Sequence, residues 1–176
     1  MAIYEIDSAH SVAEFGAKHL MFATVKGRLG EVKGEIEFDE SDPQRSSVVA
    51  TADAVSLATG DPRRDAHLRS PDFFDAENFP MLTFKSRRIE QSQGDGGYRI
   101  TGDLTVRDVT QEVVFDATYF GQGADPWGGT RAGFNAVATV NRKDFGLQWN
   151  VPLEAGGVLV GETVNLNIEI EAVKKN

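Results

Sequence analysis

A period of two constrains this chain more than any other feature. In residues 98–107, Tyr98, Ile100, Gly102, Leu104 and Val106 fall on one side, and Arg99, Thr101, Asp103, Thr105 and Arg107 on the other. Near the C-terminus Val164, Leu166, Ile168, Ile170 and Ala172 alternate with Thr163, Asn165, Asn167, Glu169 and Glu171. Successive side chains of a strand point to opposite faces, so such runs bury one face and wet the other, as antiparallel sheets do. Weaker versions cover residues 11–18, 24–39, 46–57, 82–89, 112–120 and 131–141. Turn signals at Asp42-Pro43, residues 94–97, residues 121–129 and Gly156-Gly157 separate them. Gly27, Gly30 and Gly34 place a bend in a long strand, as at a barrel corner. About eight strands with short connections predict an all-β fold, an up-and-down antiparallel eight-stranded barrel. No repeat or linker interrupts residues 1–176, so one domain is expected.

Residues 59–84, TGDPRRDAHLRSPDFFDAENFPMLTF, break the alternation. Pro62 follows Asp61 and Pro71 follows Ser70. A capping side chain followed by Pro at the first helical position satisfies free N–H groups and presets φ. The spacing therefore predicts two short helices, forming a helical insert around residues 61–76.

The net charge is −9 and the sequence pI about 4.8, a balance that repels nucleic acid and anionic membrane surfaces. The basic cluster Arg63, Arg64, His67 and Arg69 is small and mixed with Asp. Without cysteine there is no disulfide, thiolate catalysis or thiolate-bound metal. The opening MAIYEIDSAH has neither a charged n-region nor an apolar h-region. No apolar run approaches the roughly 18 residues of a membrane span. A cytoplasmic protein that is not integral to a membrane is the expectation.

Small residues occupy several registers that would face a barrel interior. Ala13 and Ala17 flank Phe15, Ala132, Ala136 and Ala138 alternate around Phe134, and Ala117 sits between Phe115 and Tyr119. Ala50, Ala52 and Ala54 form another such set, although Val49, Val55 and Leu57 could be the inward residues there instead. An eight-stranded barrel either fills its interior or holds one ligand. This much Ala favours an apolar cavity over a taper packed against the eleven Phe.

The order and spacing of a set of motifs resemble the YceI-like family of lipocalin-like, polyisoprenoid-binding proteins over essentially the whole chain. They are Asp7-Ser8-Ala9-His10-Ser11 with Phe15 and His19, Val25-Lys26-Gly27, and Gly34-Glu35-Ile36-Glu37-Phe38. Next come Arg64-Asp65-Ala66-His67-Leu68-Arg69-Ser70, Asp72-Phe73-Phe74-Asp75 and Phe79-Pro80-Met81-Leu82-Thr83-Phe84. Gly102-Asp103-Leu104-Thr105-Val106 and Asn141-Arg142-Lys143-Asp144-Phe145-Gly146-Leu147 complete the set. The resemblance implies a lipocalin-like barrel whose hydrophobic lumen sequesters or carries a long-chain isoprenoid, an isoprenoid quinone or a similar amphiphile. Two departures stand out. Many family members carry a secretion signal, and Arg107-Asp108 replaces a small Gly-containing turn.

On this reading the ligand-binding candidates are Phe15, Ala17, Phe38, Phe84, Leu104, Phe115, Phe134, Leu166 and Ile168 along the lumen. His19, Phe22, Phe73, Phe74, Phe79, Leu147 and Trp149 are the candidates for its rim or lid. Arg64, Asp65 and His67 either anchor a head group or hold the insert against the barrel. The second is favoured, because an Asp at a helix start satisfies N–H groups.

The chemistry-bearing residues are sparse. His10, His19 and His67 are the only histidines, and no two share ligand spacing on one element. No metal or other cofactor is expected. An inward His19, beside Leu20, Met21 and Phe22, could ligate haem or serve an enzymatic barrel, which is the alternative reading. No nucleophile elbow or Ser–His–Asp context occurs, so no catalytic residue and no enzyme activity are expected. Exposed strand edges or the insert leave a homodimer open.

Overall fold

The computed structural model describes residues 1–94, 96–154 and 156–176. Asp95, inside the 94–97 turn signal, lies outside the described residues. Ten strands form one sheet: β1 (Ala2–Ile6), β2 (Val12–His19), β3 (Ala23–Leu29), β4 (Lys33–Phe38), β5 (Ser47–Asp53), β6 (Met81–Gln91), β7 (Gly97–Val106), β8 (Val109–Ala124), β9 (Thr130–Asn141) and β10 (Val160–Lys174). Every pairing is antiparallel, in the order β1-β4-β5-β6-β7-β8-β9-β10-β2-β3, and β1 also pairs with β10.

That extra pairing closes the sheet. β10 runs beside β2 through Leu166↔Phe15 and Ile168↔Ala13, then beside β1 through Ala172↔Ile6. β1 and β2 are thus two halves of one stave, interrupted by a short turn at Ser8–His10 whose cap is Asp7. β3 and β4 are likewise halves of a second stave, pairing with β2 and β1. With the six remaining strands the barrel has eight staves, as the alternation predicts. Closure removes the sheet edge that an open stack would expose.

Two expectations need correction. Residues 24–39 are not one continuous strand, because the chain breaks between β3 and β4, where the Gly30 N–H donates to Ser56 Oγ at 2.8 Å. β1 was not anticipated at all, since its run is short and lies ahead of the first periodic segment. The valine alternative for β5 also fails. Val49 and Val55 face solvent while Ala50 and Ala52 pack against the core; Leu57, the third residue of that alternative, is fully buried but lies beyond the end of β5.

The insert after β5 contains α1 (Pro62–Arg69), with Asp61 accepting from the N–H groups of Arg63 and Arg64 and Pro62 in the first turn. The second helix expected at Pro71 does not form. Phe74 and Ala76 donate their N–H groups back to the carbonyls of Leu68 and Arg69 at the end of α1. Asp75 then adopts a left-handed conformation with φ 46°, so residues 71–79 are consecutive turns. Using α1's last carbonyls in this way satisfies acceptors that a helix end leaves free. Among the described residues no helix is long and apolar enough to cross a membrane.

Candidate functional site

The barrel encloses a cavity of about 280 Å³. The inward register of each stave lines it: Phe15 and Ala17 on β2, Phe38 on β4, Ala50 and Ala52 on β5, Phe84 on β6, Leu104 on β7, Phe115 and Ala117 on β8, Phe134 and Ala136 on β9, and Leu166 and Ile168 on β10. The alternation puts these side chains inside, and the alanines leave the volume between the aromatic rings. Two glycines let rings lie flat on the wall. A Cβ on Gly27 would meet the Phe15 ring at 2.3 Å, and one on Gly102 would meet the Phe84 ring at 2.5 Å.

One end is plugged by aromatic side chains. Phe38 meets Tyr98, Tyr119 and Phe134 at centroid distances of 5.6, 4.8 and 5.6 Å, with steep interplanar angles. Such edge-to-face contacts are favoured by the ring quadrupole. The Tyr4 hydroxyl donates to Gln122 at 2.7 Å, and burial pushes the phenols of Tyr4, Tyr98 and Tyr119 up.

The insert covers the other end. Leu68, Phe73 and Phe74 point into the lumen together with Phe145 and Leu147 from the segment after β9. Phe74 stands edge-on to Phe15 at 5.9 Å, and Phe73 is almost fully buried. Outside this layer the His67 ring is perpendicular to Trp149 at 4.5 Å and its Nε2 donates to the Asp72 carboxylate at 2.9 Å. Arg64 donates to the hydroxyl and carbonyl of Thr59, each at 2.8 Å. Asp65 accepts from the Thr59 N–H at 2.8 Å. Arg69 donates to the carbonyls of Val55 and Leu57. These contacts tie the insert to the loop that precedes it.

Four candidates lie outside the lining. His19 and Phe22 are exposed at the β2–β3 turn, because the hairpin projects past the rim and its inward register no longer faces an interior. Phe22 is 86% exposed. Phe79 sits half-buried in the turns after α1, and Trp149 packs on the outer side of Phe73. An axial or head-group role for His19 within the lumen is therefore not supported. Sequence reasoning missed several lining residues. Tyr98 and Ile100 share the face of Leu104 and were recoverable from register, as was Ile36.

Arg142 carried no such signal. It is 5% exposed and lines one end of the cavity. Its guanidinium donates to the carbonyls of Leu147 (2.7 Å), Trp149 (2.9 Å), Gly161 (2.8 Å) and Val160 (3.2 Å). Burial pushes its pKa down, yet a guanidinium remains charged at any ordinary pH. The nearby Glu162 carboxylate is engaged by Lys143 at 2.8 Å.

A cluster of Asp7, His10 and Glu171 brings three potential metal ligands together outside the barrel. Arg131 already sits among them, donating to Asp7 at 2.6 Å and Glu171 at 2.7 Å, and to Asp125 at 3.0 Å. The guanidinium fills the place a cation would take, so the cluster is an ion-pair node.

Comparison with known proteins fits this architecture. The profile of the YceI-like domain matches residues 4–172. A Pseudomonas putida UPF0312 protein is 36% identical over 176 residues, covering 99% of this chain and 88% of the relative. Burkholderia cenocepacia BcnA has a similar solved structure, with a TM-score of 0.80 at 23% identity over 94% of this chain and 98% of the other. A polyisoprenoid-binding domain from Saccharophagus degradans superposes with a TM-score of 0.71 at 13% identity over 98% of both chains. Taken with the closed barrel and its apolar lumen, the match over nearly the whole sequence places this chain in the YceI-like family.

Proposed function

We propose that this chain binds a long-chain isoprenoid or similar amphiphilic lipid inside the barrel and sequesters or carries it without chemical conversion. The observation that carries this reading is the apolar lumen, enclosed between the aromatic plug and the insert. Each methylene moved from water into it contributes about 0.8 kcal/mol, so the tail supplies the driving force. Ordering the tail opposes this, and sub-micromolar affinity is the expectation. The structural likeness to a polyisoprenoid-binding domain from Saccharophagus degradans is in line with it.

The cavity of about 280 Å³ falls at the small end of ligand pockets, which span roughly 300–1,000 Å³. It holds a segment of chain, and a longer tail must displace Phe73 and Phe74 or protrude. Arg142 gives one end of the lumen a positive potential, which favours an oxygen-bearing head group there, such as a quinone, over a cationic one. Among the described residues the lining offers no nucleophile–base pair, and apart from Arg142 its inward side chains act by shape and apolar contact.

Titration with linear polyprenols of increasing length tests this reading. Affinity should rise with each added isoprene unit and level off once the lumen is full. Failure to take up any member of the series would contradict it.

A further inference from the structure

The charge of −9 is not evenly spread. Residues 15–30, which contain the β2–β3 hairpin, include Lys18, Lys26 and Arg28 and no Asp or Glu. Arg28 lies across from Glu14 at the hairpin's base, whereas Lys18 faces Thr24 and Lys26 faces Gly16. The Lys18 ammonium donates to Thr24 at 2.9 Å and has no carboxylate partner among the described residues. Glu162, on the adjoining strand, is engaged by Lys143. Glu154 is the single acidic residue in the sequence 146–161, and Gly157 of that segment comes within reach of the tip, since a Cβ on it would lie 3.6 Å from Met21.

The tip itself is apolar. Leu20, Met21 and Phe22 are 38%, 60% and 86% exposed. Leu20 and Met21 both have left-handed backbone, at φ 51° and 66°, where Asn and Gly are the usual occupants. A hydrophobic pair at positions that favour small polar residues leaves three bulky side chains projecting into solvent. At the opposite end Phe120 and Trp127 are exposed as well, at 70% and 78%, but there the Arg131 guanidinium over the Trp127 ring, 5.6 Å from its centroid, is already engaged by Asp7, Asp125 and Glu171.

We infer that the β2–β3 tip is a docking surface for an anionic lipid bilayer. Leu20, Met21 and Phe22 enter the boundary between head groups and acyl chains, and Lys18 and Lys26 meet the lipid phosphates. Apolar side chains flanked by unpaired lysines are the combination that binds such an interface. The tip also adjoins the lumen. His19, one residue before it, pairs with Val160, which lines the cavity. Docking there brings the insert-covered end of the lumen against the source of an apolar ligand. The charge that repels anionic surfaces is global, whereas docking is decided within about a Debye length, roughly 8 Å at physiological salt.

Flotation with vesicles of equimolar phosphatidylcholine and phosphatidylglycerol tests this, with pure phosphatidylcholine vesicles as the comparison. The protein should float with the anionic vesicles and less so as salt rises. Met21→Ser with Phe22→Ser should weaken vesicle binding by at least about tenfold, since fully burying even one such side chain contributes about that much. Lys18→Glu with Lys26→Glu should lower it at least about fivefold per charge. All four positions are exposed, so melting temperatures should stay unchanged and variants that fail to fold are distinguished directly. Wild-type protein that stays at the bottom of the gradient, or tip variants that float like wild type, would overturn the inference. So would a wild-type dimer that Met21→Ser with Phe22→Ser turns to monomer without change in flotation, which would give the tip to a second copy. Vesicle association needs no occupied lumen, so its failure and that of the lumen reading are separable.

Discussion

The Arg142 guanidinium lies over the Phe73 ring, 5.9 Å from its centroid, and joins the insert to the segment after β9. The same side chain gathers carbonyls from Leu147, Trp149, Val160 and Gly161. One buried cation therefore organises the chain's return into β10 and supports the lid over the lumen. Its planar fork suits several acceptors at once, which a lysine cannot match.

Arg142→Lys should destabilise the fold by about 2–4 kcal/mol, because the orphaned carbonyls lose charge-assisted donors. Phe73→Ala should cost about 3–5 kcal/mol through the cavity it leaves. Urea denaturation measures both. Phe22→Ala, at a solvent-exposed tip, should change stability by less than about 0.5 kcal/mol.

Ala136 and Ala50 face the lumen, and both positions distinguish an empty interior from a packed one. Ala136→Leu should alter stability by less than about 1 kcal/mol and weaken ligand uptake, since the added atoms enter free space. In a filled core the same change costs about 1–3 kcal/mol. Thermal melts and polyprenol titration on one sample separate these outcomes.

Arg107 has a left-handed backbone, φ 57°, in the two-residue turn between β7 and β8, and its Nε is buried without a partner among the described residues. Its Nη1 reaches the Phe73 carbonyl at a long 3.4 Å. Glycine relieves the backbone cost of about 1–2 kcal/mol and removes the unpaired donor. Arg107→Gly should therefore raise the denaturation midpoint despite losing that contact.

Hydrogen bonds from Arg131, then His10, hold the Asp7 carboxyl down to about 2. A depressed folded-state value means that the carboxylate stabilises the fold fully above its unfolded pKa, near 3.9, and that this is lost as pH falls toward 2. Asp7→Asn should remove on the order of 2 kcal/mol at neutral pH and flatten the decline in stability between about pH 4 and pH 2. Melting temperatures measured across that range check both parts.

Much of the lumen could be read from register. Once 98–107 and 163–172 are strands, the odd or even parity of Leu104, Leu166 and Ile168 decides which face they join. The interior alanines follow by the same rule. What escaped had no period to reveal it. β1 is too short to show alternation, and the missing second helix depends on carbonyls at the end of α1 being claimed by Phe74 and Ala76. His19 kept the inward parity of β2 but lies where the hairpin outruns the barrel, a limit set by strand length and tilt. Arg142 is a charged residue in a short helical turn, and only the folded chain shows that four carbonyls converge on it.

Organic extraction of protein purified without detergent, followed by mass spectrometry, tests lumen occupancy most directly. Wild-type protein should release an isoprenoid or comparable long-chain amphiphile in near-stoichiometric amount, and Ala136→Leu protein should release much less. A wild-type extract without lipid, from folded protein that also fails to take up polyprenols, would contradict the proposed function.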